Sequence, residues 1–364
     1  MKIAQVAPLW ESVPPKLYGG TERIVSYVTE ELVRLGHDVT LYASGDSVTT
    51  ARLEAVCPRS LRLHTGIFNE DAPLITMLER AFGSPGEVDL IHSHLDARGF
   101  PLARRCPVPT VTTMHGRLDL PELKPVVREF SEMPLVSISD AQRRPLPWAN
   151  WQATVHHGLP RDLYTFHPQA RSYPYLAFLG RIAIEKRLDH AIEVAKRVGM
   201  PLRVAAKVDP ADREYFRTTI EPLMDHPLVE YIGEITDAEK DDFLGNAYAL
   251  ICPYDWPEPF GIVFIEALAC GTPVLAYRRG SIPEIIEDGV TGFVCEHAGE
   301  MAAVVERVAR LDRRQCRRAF EERFTVERMV QDYLKVYEQV VRTDVRASVP
   351  RLRPRATARP ALTA

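Results

Sequence analysis

The chain has 364 residues, 46% of them apolar and 26% charged, with a formal net charge of −4. That length supplies about two domains, each large enough to bury a core without a staple, and the charge balance excludes a global affinity for polyanions. Its six cysteines are scattered, with no C-x-x-C pair and no short-range histidine at zinc spacing, so neither a disulfide framework nor a metal site is indicated and a reducing, cytoplasmic compartment fits best.

The opening MKIAQVAPLW carries one lysine, a short apolar run and no small-residue cleavage site, so it reads as a buried first strand rather than a signal peptide. Amphipathic TERIVSYVTEELVRLGH follows, with Thr21 as its expected start and Gly36 as its stop, and then the apolar run DVTLYASG. VDLIHSH, TVTTMHG and PLVSIS continue the same strand and helix rhythm, that of a parallel sheet covered on both faces. Periodicity lapses over HHGLPRDLYTFHPQARSYPY, residues 156 to 175, where a connection between domains is expected, with the boundary near Phe166. The rhythm restarts with YLAFLG and runs through KRLDHAIEVAKRVG, LRVAAKV, DREYFRTTIEPLM, VEYIG, AEKDDFLGNA, ALICP, GIVFIEALAC and TPVLAY, a second α/β unit. VERMVQDYLKVYEQVVR is a final helix. The Arg- and Pro-rich stretch beyond it lacks large apolar side chains and is expected to be disordered. No stretch approaches the roughly 18 apolar residues of a membrane span; peripheral contact with the inner membrane face stays open.

In open parallel sheets, ligands bind beyond the carboxyl ends of the strands, so the junctions between strands and helices carry the chemistry. Gly19 and Gly20 precede the first helix, where they would let its amides approach a phosphate, although Gly-Gly is equally a bland turn. Neither GxGxxG nor GxxxxGK[ST] is present, which disfavours a dehydrogenase and a P-loop kinase. In FLGRIAIEKRLDHA, Arg181 and Lys186 follow an apolar strand and together suit a diphosphate; a solvated charged loop is the competing reading. In DWPEPFGIVFIEALACGTPV, Glu258 lies in the loop before a helix and Glu266 inside it, with the helix start at Gly261 between them. His115 ends a strand in TVTTMHG, and His92 and His94 occupy the same topological position in DLIHSHLD, so the residues alone do not choose among the histidines.

The combination of GGTER, TTMHG, FLGRIAIEKR and EPFGIVFIEALACGTPV, in this order, resembles the retaining family-4 glycosyltransferases over roughly residues 1 to 340. The resemblance implies the GT-B fold: α/β, two Rossmann-like doubly wound domains facing a central cleft. It divides the chain into an acceptor-binding domain (1–166), a donor-binding domain (167–326), a helix returning to the first domain (327–345) and a disordered basic tail (346–364). It implies hexosyl transfer from a nucleotide diphosphate sugar, a UDP-sugar above all, to a hydroxyl acceptor (a metabolite, lipid or glycan), with no metal, no other cofactor and no nucleic-acid partner.

Carried over by motif, Gly19 and Gly20 would meet the donor diphosphate and Arg181 and Lys186 would neutralise it. Glu258, with the amides around Phe260, Gly261 and Ile262, would bind the transferred sugar, Glu266 the ribose, and Ile232 and Gly233 the base. His115 would stand near the sugar and acceptor. The chain departs from the family at HHGLP, where many relatives have an Asn-Gly turn, and at Arg187, where glycine is frequent. Two rivals remain at this stage: a non-catalytic protein that binds nucleotide sugars, and a GT-B sugar-nucleotide epimerase or phosphorylase.

Overall fold

The structure is a computed structural model and describes residues 1–17, 19–63, 69–83 and 85–343. The expected disordered tail, 346–364, lies outside the described residues. The first sheet holds β1 (Lys2–Val6), β2 (Asp38–Ala43), β3 (Arg52–Ala55), β4 (Leu90–Ser93), β5 (Thr110–Thr113), β6 (Leu135–Ser137) and β7 (Trp151–Thr154). The second holds β8 (Leu176–Arg181), β9 (Leu202–Lys207), β10 (Val229–Gly233), β11 (Ala249–Cys252), β12 (Val274–Tyr277) and β13 (Gly292–Cys295). Every pairing is parallel. That agrees with the apolar character of the runs, which are buried on both faces.

The strand orders are β3-β2-β1-β4-β5-β6-β7 and β10-β9-β8-β11-β12-β13. In each sheet the chain winds outward one way from the first strand and then the other, so the order reverses between β1 and β4 and between β8 and β11. Loops leaving neighbouring strands at such a reversal diverge to opposite faces and open a crevice at the carboxyl ends. Both crevices face the same cleft, because the residues lining it come from the loops after β1, β5, β6 and β7 of the first sheet and after β8, β9, β10 and β11 of the second.

Six helices position the site: α1 (Gly20–Arg34), α2 (Leu188–Val198), α3 (Asp237–Gly245), α4 (Ile262–Cys270), α5 (Arg313–Arg323) and α6 (Val326–Thr343). The first begins one residue before Thr21. The stretch DREYFRTTIEPLM is not one regular helix; it passes from α to π geometry over Phe216–Ile220 and returns to α over Glu221–Met224, around Pro222, which cannot donate to the preceding turn. The final helix, α6, crosses back and packs Met329, Val330, Tyr333, Tyr337 and Val340 into one core with Ile24, Val28 and Leu32 of α1 and with β1, β4 and β5. Among the described residues no helix is long and apolar enough to cross a membrane.

Candidate active site

The cleft between the sheets has a volume of about 490 Å³. Of the twelve residues named from sequence, ten line it: Gly19, Gly20, His115, Arg181, Lys186, Glu258, Phe260, Gly261, Ile262 and Glu266. Ile232 and Gly233 do not. The register of β10 against β9 slips between Tyr231 and Gly233, and Gly233 turns the chain at a φ of 77°, so the residues that reach the cleft are the next two, Glu234 and Ile235.

The loop before α4 is held from several sides. Gly261 caps the helix with a φ of 82°, and a Cβ there would fall 2.3 Å from the Phe264 ring, so glycine is required by both backbone and space. Ser281 donates its hydroxyl to the Phe260 carbonyl at 2.8 Å, and Ser139, from the other lobe, donates to the Pro259 carbonyl at 2.6 Å. The Glu258 carbonyl itself accepts from the Ser281 amide at 2.9 Å, which fixes its backbone. Its Oε2 accepts from the Trp256 indole at 2.9 Å and from the Lys186 ammonium. That ammonium lies 3.9 Å from the centre of the Tyr254 ring, whose face adds a cation–π attraction.

Eight residues further on, Glu266 is buried within α4 and only 1% exposed. Its Oε1 accepts from Lys240 at 2.8 Å and from the Tyr164 hydroxyl at 3.1 Å. Its Oε2 has no hydrogen-bond partner among the described residues. A buried carboxylate oxygen left without a donor costs free energy on the order of 1–3 kcal/mol, which a ligand that brings a donor recovers.

The cations after β8 and β9 are countered rather than free. Arg181, the last residue of β8, donates to Glu185 at 2.6 Å and to Asp212 at 2.7 Å. Lys207 stands opposite Arg181 in the β8–β9 register, is buried, and pairs with Asp209 at 2.9 Å. Sequence reasoning missed Lys207 and Lys240, because each is a single residue placed by strand or helix alignment rather than by a motif. The structure also explains the departure at Arg187, which adopts a left-handed conformation (φ 50°) between the Ile184–Lys186 turn and α2. Glycine takes that conformation without steric cost; here the guanidinium is instead tied to Asp189 at 2.8 Å.

The opposite wall is built of uncharged imidazoles. His115 bonds His94 at 2.9 Å and stacks on His157 at 5.4 Å between centroids, and His157 meets the edge of Phe260 at 4.9 Å. Burial pushes His115 down to about 3 and holds His92, His94 and His157 well below the ordinary histidine value, each further lowered by its neighbouring rings except His115. His157 comes from HHGLP, the second departure. The glycine after it passes so close to the chain entering α6 that a Cβ would sit 2.2 Å from the Thr325 carbonyl oxygen.

The family model described as glycosyltransferase family 4 matches residues 18–211, more than half of the chain. The chain belongs to glycosyltransferase family 4. A second model, for glycosyl transferases group 1, matches residues 165–323 of this family-4 enzyme. It is 24% identical over 344 residues to the phosphatidyl-myo-inositol mannosyltransferase of Mycobacterium leprae, covering 85% of this chain and 87% of that protein. It is 27% identical over 343 residues to the D-inositol 3-phosphate glycosyltransferase of Thermobifida fusca, covering 76% and 77%. Its structure is similar to that of Anabaena HepE in complex with UDP and glucose, with a TM-score of 0.72 at 17% identity over 93% of this chain and 99% of that one. Two parallel-sheet lobes facing one cleft are the GT-B fold of such transferases.

Proposed function

We propose that this glycosyltransferase moves a hexosyl group from a UDP-sugar to a hydroxyl acceptor with retention at the anomeric carbon and without a metal. The observation that carries the donor reading is the buried, unpartnered Oε2 of Glu266 on the cleft wall. A ribose supplies two hydroxyl donors, and a carboxylate already neutralised by Lys240 can accept from them without a further desolvation cost. The complex of the similar HepE structure with UDP supports the same nucleotide.

Glu258 engages both of its protein donors through Oε2, which leaves Oε1 to a hydroxyl of the transferred sugar. Between the two carboxylates, the free amides at the start of α4 face the diphosphate together with Gly19 and Gly20. Lys207 is buried and Lys186 and Arg181 half-buried, so their charge is only partly screened, and it meets the charge that develops on the leaving phosphate. In the transfer step the acceptor oxygen bonds to the anomeric carbon as the bond from that carbon to the phosphate oxygen breaks. A phosphate oxygen on the same face takes the acceptor proton, and a nucleoside diphosphate leaves. No protein base is required, which fits a wall of histidines that are already neutral.

The test is to incubate the full chain with UDP-hexoses and a panel of hydroxyl acceptors, with and without a chelator, and to read product configuration by proton NMR. An α product from an α donor, at a rate the chelator does not change, is expected. A β product removes retention, loss of rate with chelator removes metal independence, and a changed sugar without acceptor consumption points to an epimerase instead.

A further inference from the structure

Behind His115 a buried chain of hydrogen bonds runs from the cleft to the crossing helix α6. His94 Nδ1 lies 2.9 Å from His115 Nε2, and His94 Nε2 lies 2.8 Å from Gln5 Oε1. Gln5 Nε2 donates to the Tyr337 hydroxyl at 3.3 Å, and that hydroxyl lies 2.7 Å from His92 Nδ1. His92 Nε2 is 2.7 Å from Thr113 Oγ1, which donates to the Tyr333 hydroxyl at 3.1 Å. Gln5, His92, His94, Thr113, Tyr333 and Tyr337 are all buried.

The direction of each bond follows from the chemistry of the groups. The amide nitrogen of Gln5 can only donate, so its oxygen faces His94 and His94 Nε2 must carry the proton. A neutral His94 then has a bare Nδ1, which can only accept, so His115 Nε2 must carry its proton too. At the other end Thr113 spends its hydrogen on Tyr333, so His92 donates to Thr113 through Nε2 and accepts from Tyr337 at Nδ1. Every group in the chain is satisfied with all three rings neutral, and every donor points away from the cleft.

We propose that Gln5, backed by Tyr337, is a positioning residue that holds His115 in the tautomer protonated at Nε2, so that the ring meets a hydroxyl-bearing ligand as a hydrogen-bond acceptor through a bare Nδ1. The assignment rests on the reading of the cleft as the transfer site. It ties the crossing helix to the chemistry, since Tyr337 fixes the orientation of the Gln5 amide and the amide fixes the proton two residues away in the chain of bonds. Without Tyr337 the amide is free to turn over and offer its nitrogen to His94, which reverses every proton up to His115.

The experiment labels histidine with ¹⁵N in the full chain and reads the tautomer by long-range ¹H–¹⁵N correlation, with His115 assigned by the signal lost in His115→Asn. The ligand-free protein is expected to show His115 protonated at Nε2 and bare at Nδ1. Gln5→Leu and Tyr337→Phe are each expected to shift it toward a mixture of tautomers and to lower kcat about tenfold, the cost of one hydrogen bond in the transition state, with donor KM little changed. Tyr337→Phe removes only a hydroxyl and so serves if Gln5→Leu fails to fold. A wild-type His115 protonated at Nδ1, an unchanged tautomer in both variants, or a shifted tautomer with unchanged kcat overturns the proposal. Absence of transfer from any UDP-sugar by the wild-type chain would instead overturn the functional reading and leave the tautomer result standing.

Discussion

The two walls of the cleft solve the same problem with opposite materials. On the wall after β8, β9 and β11, charge is abundant but balanced in place: Lys186 against Glu258, Lys240 against Glu266, Arg181 against Glu185 and Asp212. On the wall after β4, β5 and β7, His115 and His157 stack as uncharged rings with His94 behind them. A site that must stabilise a departing phosphate needs cations fixed on one side and a medium of low polarisability on the other, because charge acts more strongly where water is excluded. The contrast teaches that cations drawn half out of water are held in place by the neighbouring carboxylates that balance them.

Breaking the charged wall has the largest expected effect. Lys186→Ala should lower transfer by roughly 100- to 1,000-fold while circular dichroism shows the fold retained, since the change removes a charge aimed at the leaving group. Rates within a few-fold of wild type would take Lys186 out of the phosphate role. Glu266→Gln keeps an oxygen for Lys240 but turns the unpartnered acceptor into a donor, so UDP affinity by calorimetry should weaken about 10- to 100-fold. Unaltered affinity would detach Glu266 from the ribose. Gly261→Ala forces a side chain into left-handed backbone and onto Phe264, and should cost about 1–3 kcal/mol in denaturant unfolding together with transfer rate.

The neutral wall is sharpened by pH. His115 is pushed from 6.5 to about 3 in the folded chain, and His92, His94 and His157 are held well below 6.5. Unfolded, these rings take up protons near 6.5, so below that the unfolded state binds more protons than the native one. Stability is therefore full above about pH 7 and falls as pH drops toward 5, by up to about 1.4 kcal/mol per pH unit for each ring. Thermal melts across this range check the slope; a Tm that holds steady down to pH 5 would mean the rings are charged or exposed.

Much of the fold was legible because parallel strands buried on both faces leave apolar runs, and the helices between them keep their 3.6-residue period. The charged wall of the cleft was legible where a motif brings its parts together in sequence, as Glu258, Gly261 and Glu266 do along one loop and helix. Lys207 was not, because only the alignment of β8 with β9 sets it beside Arg181. Gln5, His94 and Tyr337 meet from positions up to 332 residues apart, and no local pattern announces that. Ile232 and Gly233 stop short of the cleft lining, which Glu234 and Ile235 reach past a slip in the register of β10 that leaves no trace in composition. Arg187 shows the converse: the expected glycine is missing, yet the left-handed turn that glycine would serve is kept.

The lobes are also stitched together where they meet. Ser139 reaches across to the carbonyl of Pro259, Arg23 pairs with Asp237, and Glu284 of the second lobe accepts from the amides of Asp140 and Ala141 at 2.8 and 2.7 Å. Parting the lobes to admit a bulky acceptor would cut the first of these ties and so slacken the segment bearing Glu258. Substrate entry and the grip on the sugar would then be opposed within one mechanical linkage, the jaw loosening its hold on one guest in order to receive the other.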